Sequence, residues 1–444
     1  MSYLRPWLPI SRGEDRLGAL NERNALIAVV LAGFVLRLML IYPFGHLLGE
    51  DSYFHQDLVR FMLEGNGLAQ YNIGGWELSH PYFLTLAPKI QAYPFGYHIL
   101  VYPFAYIFGS DAFRYLPVVI SSTAPVFVYL FMKEFSGRGD VALMAAVIYS
   151  VPDVVAHSIL LLPQGLGILF LPLTLWLYLR TEHGGVAGGL FFFVHPFTGI
   201  AIMVAMFTLG LWRHEGRKVL RTALLCAIVI ASYSLLTILT SEPGSTFSFN
   251  SPRFVIYGAN KYVSALSLSL LFPMGLAFMR RSDYYLALVA FMFGFMSLVQ
   301  ISNLPPERLF SFLAFFLSCI TAFFVRGLYV RGSKAIFAAF MIVLTLMAST
   351  DILGNIGPSF IEVGSWEFVN ENTLEDSVVW GWDRYPQIFT SERKIAYGPE
   401  YIGVGYICPD SHMLGSKALS EYLLSDHTNV IYDNYLPIMT ITDD

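Results

Sequence analysis

Apolar runs recur along the chain at 25–43, 115–132, 141–156, 159–179, 219–240, 261–279, 284–302, 308–325 and 335–350. A helix that crosses a bilayer needs about 20 predominantly apolar residues, and each run meets or approaches that length. In hydrocarbon every backbone N–H and C=O must be satisfied within the protein, which restricts such segments to helices or a closed barrel. Runs this long and continuous predict an all-α polytopic membrane protein. Of the 444 residues, 55% are hydrophobic and 13% charged, whereas soluble domains carry roughly a quarter charged residues. A net charge of -5 offers no basic stripe for phosphate neutralisation and excludes a nucleic-acid partner. Cys226, Cys319 and Cys408 are too scattered for a disulfide framework or a cysteine-based zinc site. Arg5, Arg12, Arg16 and Arg23 precede the first run, which is long enough to be a retained span rather than a cleaved leader.

The stretch 186–211 is too long for one span and is interrupted at His195-Pro196-Phe197-Thr198-Gly199. Proline breaks or kinks an apolar helix, so two short helices forming a hairpin are expected. Basic loops mark the cytoplasmic side. With the hairpin, Lys133 and Arg138, Arg180, Arg213 to Arg221, Arg280 and Arg281, and Arg326 to Lys334 fall on one side. Without it, the later clusters invert. The hairpin therefore predicts about 11 passes, with the N-terminus cytoplasmic and the C-terminus exterior. It divides the chain into a cytoplasmic N-terminus (1–24), a transmembrane domain (25–350) with a long exterior loop (44–113), and a small exterior C-terminal region (351–444).

The segment from Glu50 to Gly65 follows the first span. Phe54, Leu58, Phe61 and Met62 recur at helical spacing, with Asp57, Arg60 and Glu64 on another face. That pattern predicts an amphipathic interfacial helix capped by Asp51 or Ser52 and ended by Gly65. An interfacial helix alone leaves unexplained the tandem acids Glu50 and Asp51 with His55 one turn on. A carboxylate and a His so spaced suit a divalent cation or a general base. A helix N-terminus favours the ionised carboxylate, so a base there needs burial or a like-charged neighbour such as Glu50.

Asp51-Ser52-Tyr53-Phe54-His55 resembles the first acidic motif of GT-C glycosyltransferases, most nearly the Asp-Pro-Trp/Tyr-Tyr-His pattern of archaeal and bacterial oligosaccharyltransferase catalytic subunits. The similarity continues through Tyr93-Pro94-Phe95-Gly96-Tyr97-His98 and Arg114-Tyr115-Leu116-Pro117. Ser52 stands in place of the pattern's proline, and Asp57 where many members have arginine. The resemblance implies a GT-C-like helical bundle, with amphipathic helices in its first exterior loop, in a prokaryotic (archaeal or bacterial) cell membrane. It also implies an enzyme that takes sugar from a polyprenyl-phosphate (dolichyl-phosphate) donor on the exterior face. Asp51 would be base or metal ligand.

The family's second acidic motif falls here on Val151-Pro152-Asp153-Val154-Val155-Ala156-His157-Ser158. Asp51, Asp153 and His157 are then the ligands expected for a divalent cation, Mg or Mn. A proline-led turn with an ordinary polar cap is the competing reading of that segment. Glu242 lies in the exterior loop where oligosaccharyltransferases carry a mobile Glu-containing motif, and a solvated loop acid is the reading preferred over it. Arg308, at the head of a span, suits a lipid phosphate or an ion pair with Glu307. Arg37, inside the first span, must be snorkelling, paired or aimed at a phosphate. His195, at the hairpin break, contacts the sugar or is hydrogen-bonded within the bundle. In the tail, Trp380-Gly381-Trp382-Asp383 resembles the Trp-Trp-Asp acceptor motif with one residue inserted, and a tryptophan-bearing strand is the alternative. The expected partners are a lipid-linked sugar, membrane lipid and a glycan, lipid or protein acceptor. The readings set against transfer to a simple acceptor are oligosaccharyltransferase-like transfer to protein and a lipid-carrier or solute transporter with no covalent chemistry. Clean spans, the absence of a visible repeat and acids grouped on one face favour the enzyme.

Overall fold

The computed structural model describes residues 14–42, 47, 50–65, 96–150, 160–181, 184–240, 253–254, 271–297, 299–300, 309–330 and 371, with strand segments at 378–380, 394–396, 404–407, 428–432 and 438–441. Most apolar runs fold as helices. They are α1 (Glu14–Ile41), α4 (Asp111–Ser136), α5 (Gly139–Tyr149), α6 (Pro163–Arg180), α9 (Gly216–Thr240), α10 (Tyr285–Met296) and α11 (Phe310–Val330). Asn21–Ile41, Asp111–Ser136 and Phe312–Val330 are each long and apolar enough to cross a membrane. Between α1 and α4 lie α2 (Glu50–Leu63) and α3 (Gly96–Phe108).

The break at His195 is present. Helices α7 (Gly184–Val194) and α8 (Pro196–Trp212) run antiparallel, with Phe192 against Gly199 and Gly188 facing Ile202 and Met206. Proline at the first position of α8 suits a helix start, because its missing N–H would have had no intrahelical partner. Both feet of the hairpin return to one end of the bundle. Arg180 pairs with Glu134 at 3.0 Å, and the Arg213 guanidinium sits 5.7 Å from the ring of Phe135, the next residue of α4. That end also holds Arg326 against Asp140 at 2.5 Å and Lys133 against Glu22 at 2.7 Å. Lys133, Arg180, Arg213 and Arg326, drawn from four of the basic clusters, therefore share one end, and Lys133, Arg180 and Arg326 meet acids there.

Glu22 Oε2 accepts from the Tyr129 hydroxyl at 2.5 Å as well as from Lys133, tying α1 to α4. Lys133 and Glu22 keep 44% and 31% of their side-chain exposure, so water screens the pair. Glu22→Gln is expected to lower stability by less than about 1 kcal/mol, read as a shift of the melting temperature in detergent.

The interior is aromatic. Phe312, Phe315, Phe316 and Phe323 of α11 are buried at helical spacing. Phe315 packs on Phe131 of α4 at 5.6 Å, and Phe316 on Phe293 of α10 at 5.7 Å.

The tail corrects the all-α expectation. Strands β3 (Val378–Trp380), β4 (Lys394–Ala396), β5 (Val404–Ile407), β6 (Thr428–Tyr432) and β7 (Ile438–Ile441) form one mixed sheet in the order β4-β3-β5-β7-β6. β3 is parallel to both β4 and β5, whereas β7 is antiparallel to β5 and β6. These strands are short, and each is too brief to show a strong alternation of its own. Trp380 ends β3, as the strand reading of that segment expected; Trp382 and Asp383 lie outside the described residues. A two-residue pair, β1 (Arg253–Phe254) with β2 (Val299–Gln300), joins the stretch after α9 to the end of α10. The run 335–350 lies outside the described residues, and with it the full pass count.

Candidate active site

The end of the bundle opposite the ion pairs holds Arg37, His55 and His195 of the residues the sequence singled out, together with the backbone of Glu50 and Asp51. Arg114, in the first turn of α4, donates from Nη2 to the carbonyls of Ile41 and Tyr42 at 2.7 and 3.3 Å. A guanidinium at a helix C-terminus satisfies end carbonyls and complements the dipole. It thereby fixes where the chain leaves α1 on its way to α2.

Helix α2 begins at Glu50, so Asp51 and Ser52 lie inside its first turn rather than at its cap. It stops where expected, with Gly65 at a φ of 85°, a left-handed conformation that glycine adopts without strain. Arg60 and Glu64 are exposed and Leu58 is buried, in keeping with the amphipathic pattern. However, Ser52, His55, Gln56 and Val59 are buried too, at i, i+3, i+4 and i+7. A polar stripe of α2 is therefore packed into the protein, which simple interfacial amphipathicity does not predict.

Two contacts engage Ser52 and His55 of that stripe. His55 Nδ1 and His98 Nε2 of α3 share a hydrogen bond at 3.0 Å, one ring donating and the other accepting. The Tyr97 ring meets both imidazoles edge-on, at 5.3 and 5.6 Å between centroids. Ser52 Oγ accepts from the backbone N–H of Leu161 at 3.0 Å, just before α6. His98 and Tyr97 were visible in the sequence only as the end of a motif. Nothing in the spacing of residues 52 and 161 announced the second contact.

The hairpin break reaches the same place. At Gly96, which opens α3, an added Cβ would collide with the carbonyl of Phe193, so glycine permits the close approach. His195 is buried and caps α8, its Nδ1 accepting from the Thr198 N–H at 3.3 Å and lying 2.7 Å from Thr198 Oγ1. His195→Ala is expected to lower stability by about 1 kcal/mol and His195→Asn by less, as measured by thermal melting. Thr198 also approaches Gly167 of α6, beside Phe312 of α11.

Arg37 is 1% exposed in α1 and donates from Nη1 to the Gly33 carbonyl at 3.0 Å. It lies one turn before Ile41, so the first span ends with a buried cation beneath this region. An apolar cavity of about 170 Å³ lies between α3, α4 and α6, lined by Tyr97, Val101, Leu116, Ile120, Leu166 and Phe170 among others. Tyr97 belongs to both the cavity wall and the histidine cluster.

The side chains of Glu50 and Asp51, and the whole of Asp153, His157, Glu242 and Arg308, lie outside the described residues. Among the described residues no group of three His, Cys, Asp or Glu side chains could hold a metal ion.

Neither a protein-family model nor the sequence of a curated protein matches the chain. Its fold does match solved structures. ArnT from Cupriavidus metallidurans bound to undecaprenyl phosphate superposes with a TM-score of 0.61 at 12% identity, covering 94% of this chain and 97% of that one. The Archaeoglobus fulgidus oligosaccharyltransferase in complex with Zn and sulfate gives 0.54 at 13% identity, over 87% and 68%. The archaeal oligosaccharyltransferase AglB from the same organism, in complex with an inhibitory peptide and a dolichol-phosphate, gives 0.51 at 12% identity, over 88% and 70%. The chain therefore shares the fold of these solved structures along most of its length. At these identities the likeness is one of fold.

Proposed function

We propose that the chain is a membrane glycosyltransferase that moves a sugar from a polyprenyl-phosphate carrier to an acceptor on the exterior face. The observation that carries this reading is the layout around Tyr97, where an apolar cavity adjoins a buried polar cluster. An isoprenoid phosphate is itself built as a long apolar tail on an anionic head. Concave apolar sites with a few convergent polar groups are the usual form of ligand pockets. The fold neighbours bound to undecaprenyl phosphate and dolichol-phosphate add support for a lipid carrier.

In this reading Asp51, carried on α2, takes the proton from an acceptor hydroxyl or amide. The acceptor oxygen or nitrogen bonds to the anomeric carbon as the bond from that carbon to the phosphate oxygen breaks. The polyprenyl phosphate leaves with the electron pair. Arg37 and Arg308 are assigned to the charge that develops on the phosphate, which a fixed guanidinium stabilises most where water is excluded. Asp153 supports Asp51, and Glu50, His55, His195 and Glu242 are assigned to substrate contacts. Asp51, Asp153 and His157 are the residues assigned to a divalent cation, Mg or Mn. Such an ion would add Lewis-acid stabilisation of the leaving oxygen. The tail carries a small sheet, and transfer to a glycan or lipid is favoured over a peptide sequon.

The test is an assay of the full chain in liposomes containing a polyprenyl-phosphate hexose or pentose, with the matching diphosphates as controls. Sugar released from the lipid and recovered on an acceptor supports the proposal. Intact donor across the whole panel, with protein that remains folded, rejects it.

A further inference from the structure

We propose that Ser52 is a positioning residue that couples the first acidic motif to the segment following the second. Its side chain is 0% exposed, and its Oγ accepts the N–H of Leu161, itself 1% exposed, at 3.0 Å. These residues are distant in sequence but meet at one end of the bundle. Ser52 sits beside Asp51 in the first turn of α2. Leu161 follows, in sequence, the stretch 151–159 that lies outside the described residues, and stands just ahead of Leu162, the residue preceding α6. The hydrogen bond thus sets the register of the turn that carries Asp51 against the chain leaving the second motif. The inference rests on the reading of Asp51 as the reacting base.

The oligosaccharyltransferase pattern that this segment resembles has proline at the Ser52 position. Proline has no hydroxyl and could not accept the Leu161 amide, so this chain holds the turn by a different device. His55 is engaged with His98 on α3, while Arg60 and Glu64 face outward. Removing the acceptor leaves a buried N–H without this partner, and a buried polar group without a bond is costly. A displacement of about 1 Å in a catalytic group can lower a rate by 10²-fold.

Two measurements on the full chain in detergent separate the link from the chemistry. The first is hydrogen exchange of peptides covering Leu161. Ser52→Ala is expected to accelerate exchange there about tenfold, with other helices unchanged. Unaltered exchange would overturn the proposal. The second is steady-state transfer, with Asp51→Asn as the reference for loss of the base. Ser52→Ala is expected to lower kcat by about 10- to 100-fold while KM for the lipid-linked donor moves less than about threefold. Faster exchange with kcat intact, in a protein that Asp51→Asn inactivates, would reduce Ser52 to a structural clamp. Faster exchange with no transfer by any variant, wild type included, would reject the glycosyltransferase reading and the positioning role, and leave the hydrogen bond itself established.

Discussion

Asp51→Asn is expected to lower transfer from a polyprenyl-phosphate sugar by about a thousandfold, with folding unaffected. General-base catalysis contributes roughly 10²- to 10⁴-fold, and an amide of the same shape can neither accept the proton nor carry the charge. The position favours a clean result. Asp51 lies in the first turn of α2, a helix held along one face by Ser52 with Leu161 and by His55 with His98. The exchange of one oxygen for nitrogen should leave those contacts in place. The check is kcat at saturating donor alongside the melting temperature. A variant retaining full transfer would remove Asp51 from the mechanism.

Arg37→Leu carries the second large effect, and here structural and functional roles predict opposite signs. A charge in a membrane span is unfavourable by about 2.5–3.5 kcal/mol on insertion scales. A leucine at that depth relieves this term, so an Arg37 without a task would be neutral or stabilising to replace. Arg37 is instead buried at 1% exposure, its guanidinium folded back on the Gly33 carbonyl. If it faces the leaving phosphate, Arg37→Leu should reduce kcat by about 100-fold, the scale of losing one oriented donor to a developing anion. Arg37→Lys should recover only part, because an ammonium lacks the planar fork. Transfer kinetics of the three proteins, set beside their melting temperatures, separate the two roles.

The apolar helices were legible in the chain, because hydrocarbon imposes length and apolarity on a span. The hairpin was readable from Pro196 together with the charges at Arg180 and Arg213, and these return to adjacent residues of α4. The tail was less legible. Its strands hold three to five residues each, too few for alternation to outweigh turn-rich surroundings.

Within the site, the sequence pointed to Asp51 and His55 because an acid and a histidine one turn apart carry a recognisable spacing. It could not point to Ser52 with Leu161, or to Arg114 with the end of α1. Those contacts pair a side chain with backbone, and backbone leaves no trace in residue identity. The buried polar stripe of α2 was hidden for a related reason. The burial of Ser52, His55 and Gln56 arises only once α3 and the chain before α6 are placed against them.

The most direct measurement is mass spectrometry of the lipid and acceptor fractions after purified protein is incubated in liposomes with polyprenyl-phosphate and -diphosphate sugars, with lumenal sugar counted in parallel. The expected result is a covalent sugar–acceptor product and an equal amount of free polyprenyl phosphate, abolished by Asp51→Asn. Sugar or lipid carrier crossing the bilayer with every donor molecule intact would contradict it and assign the chain to transport.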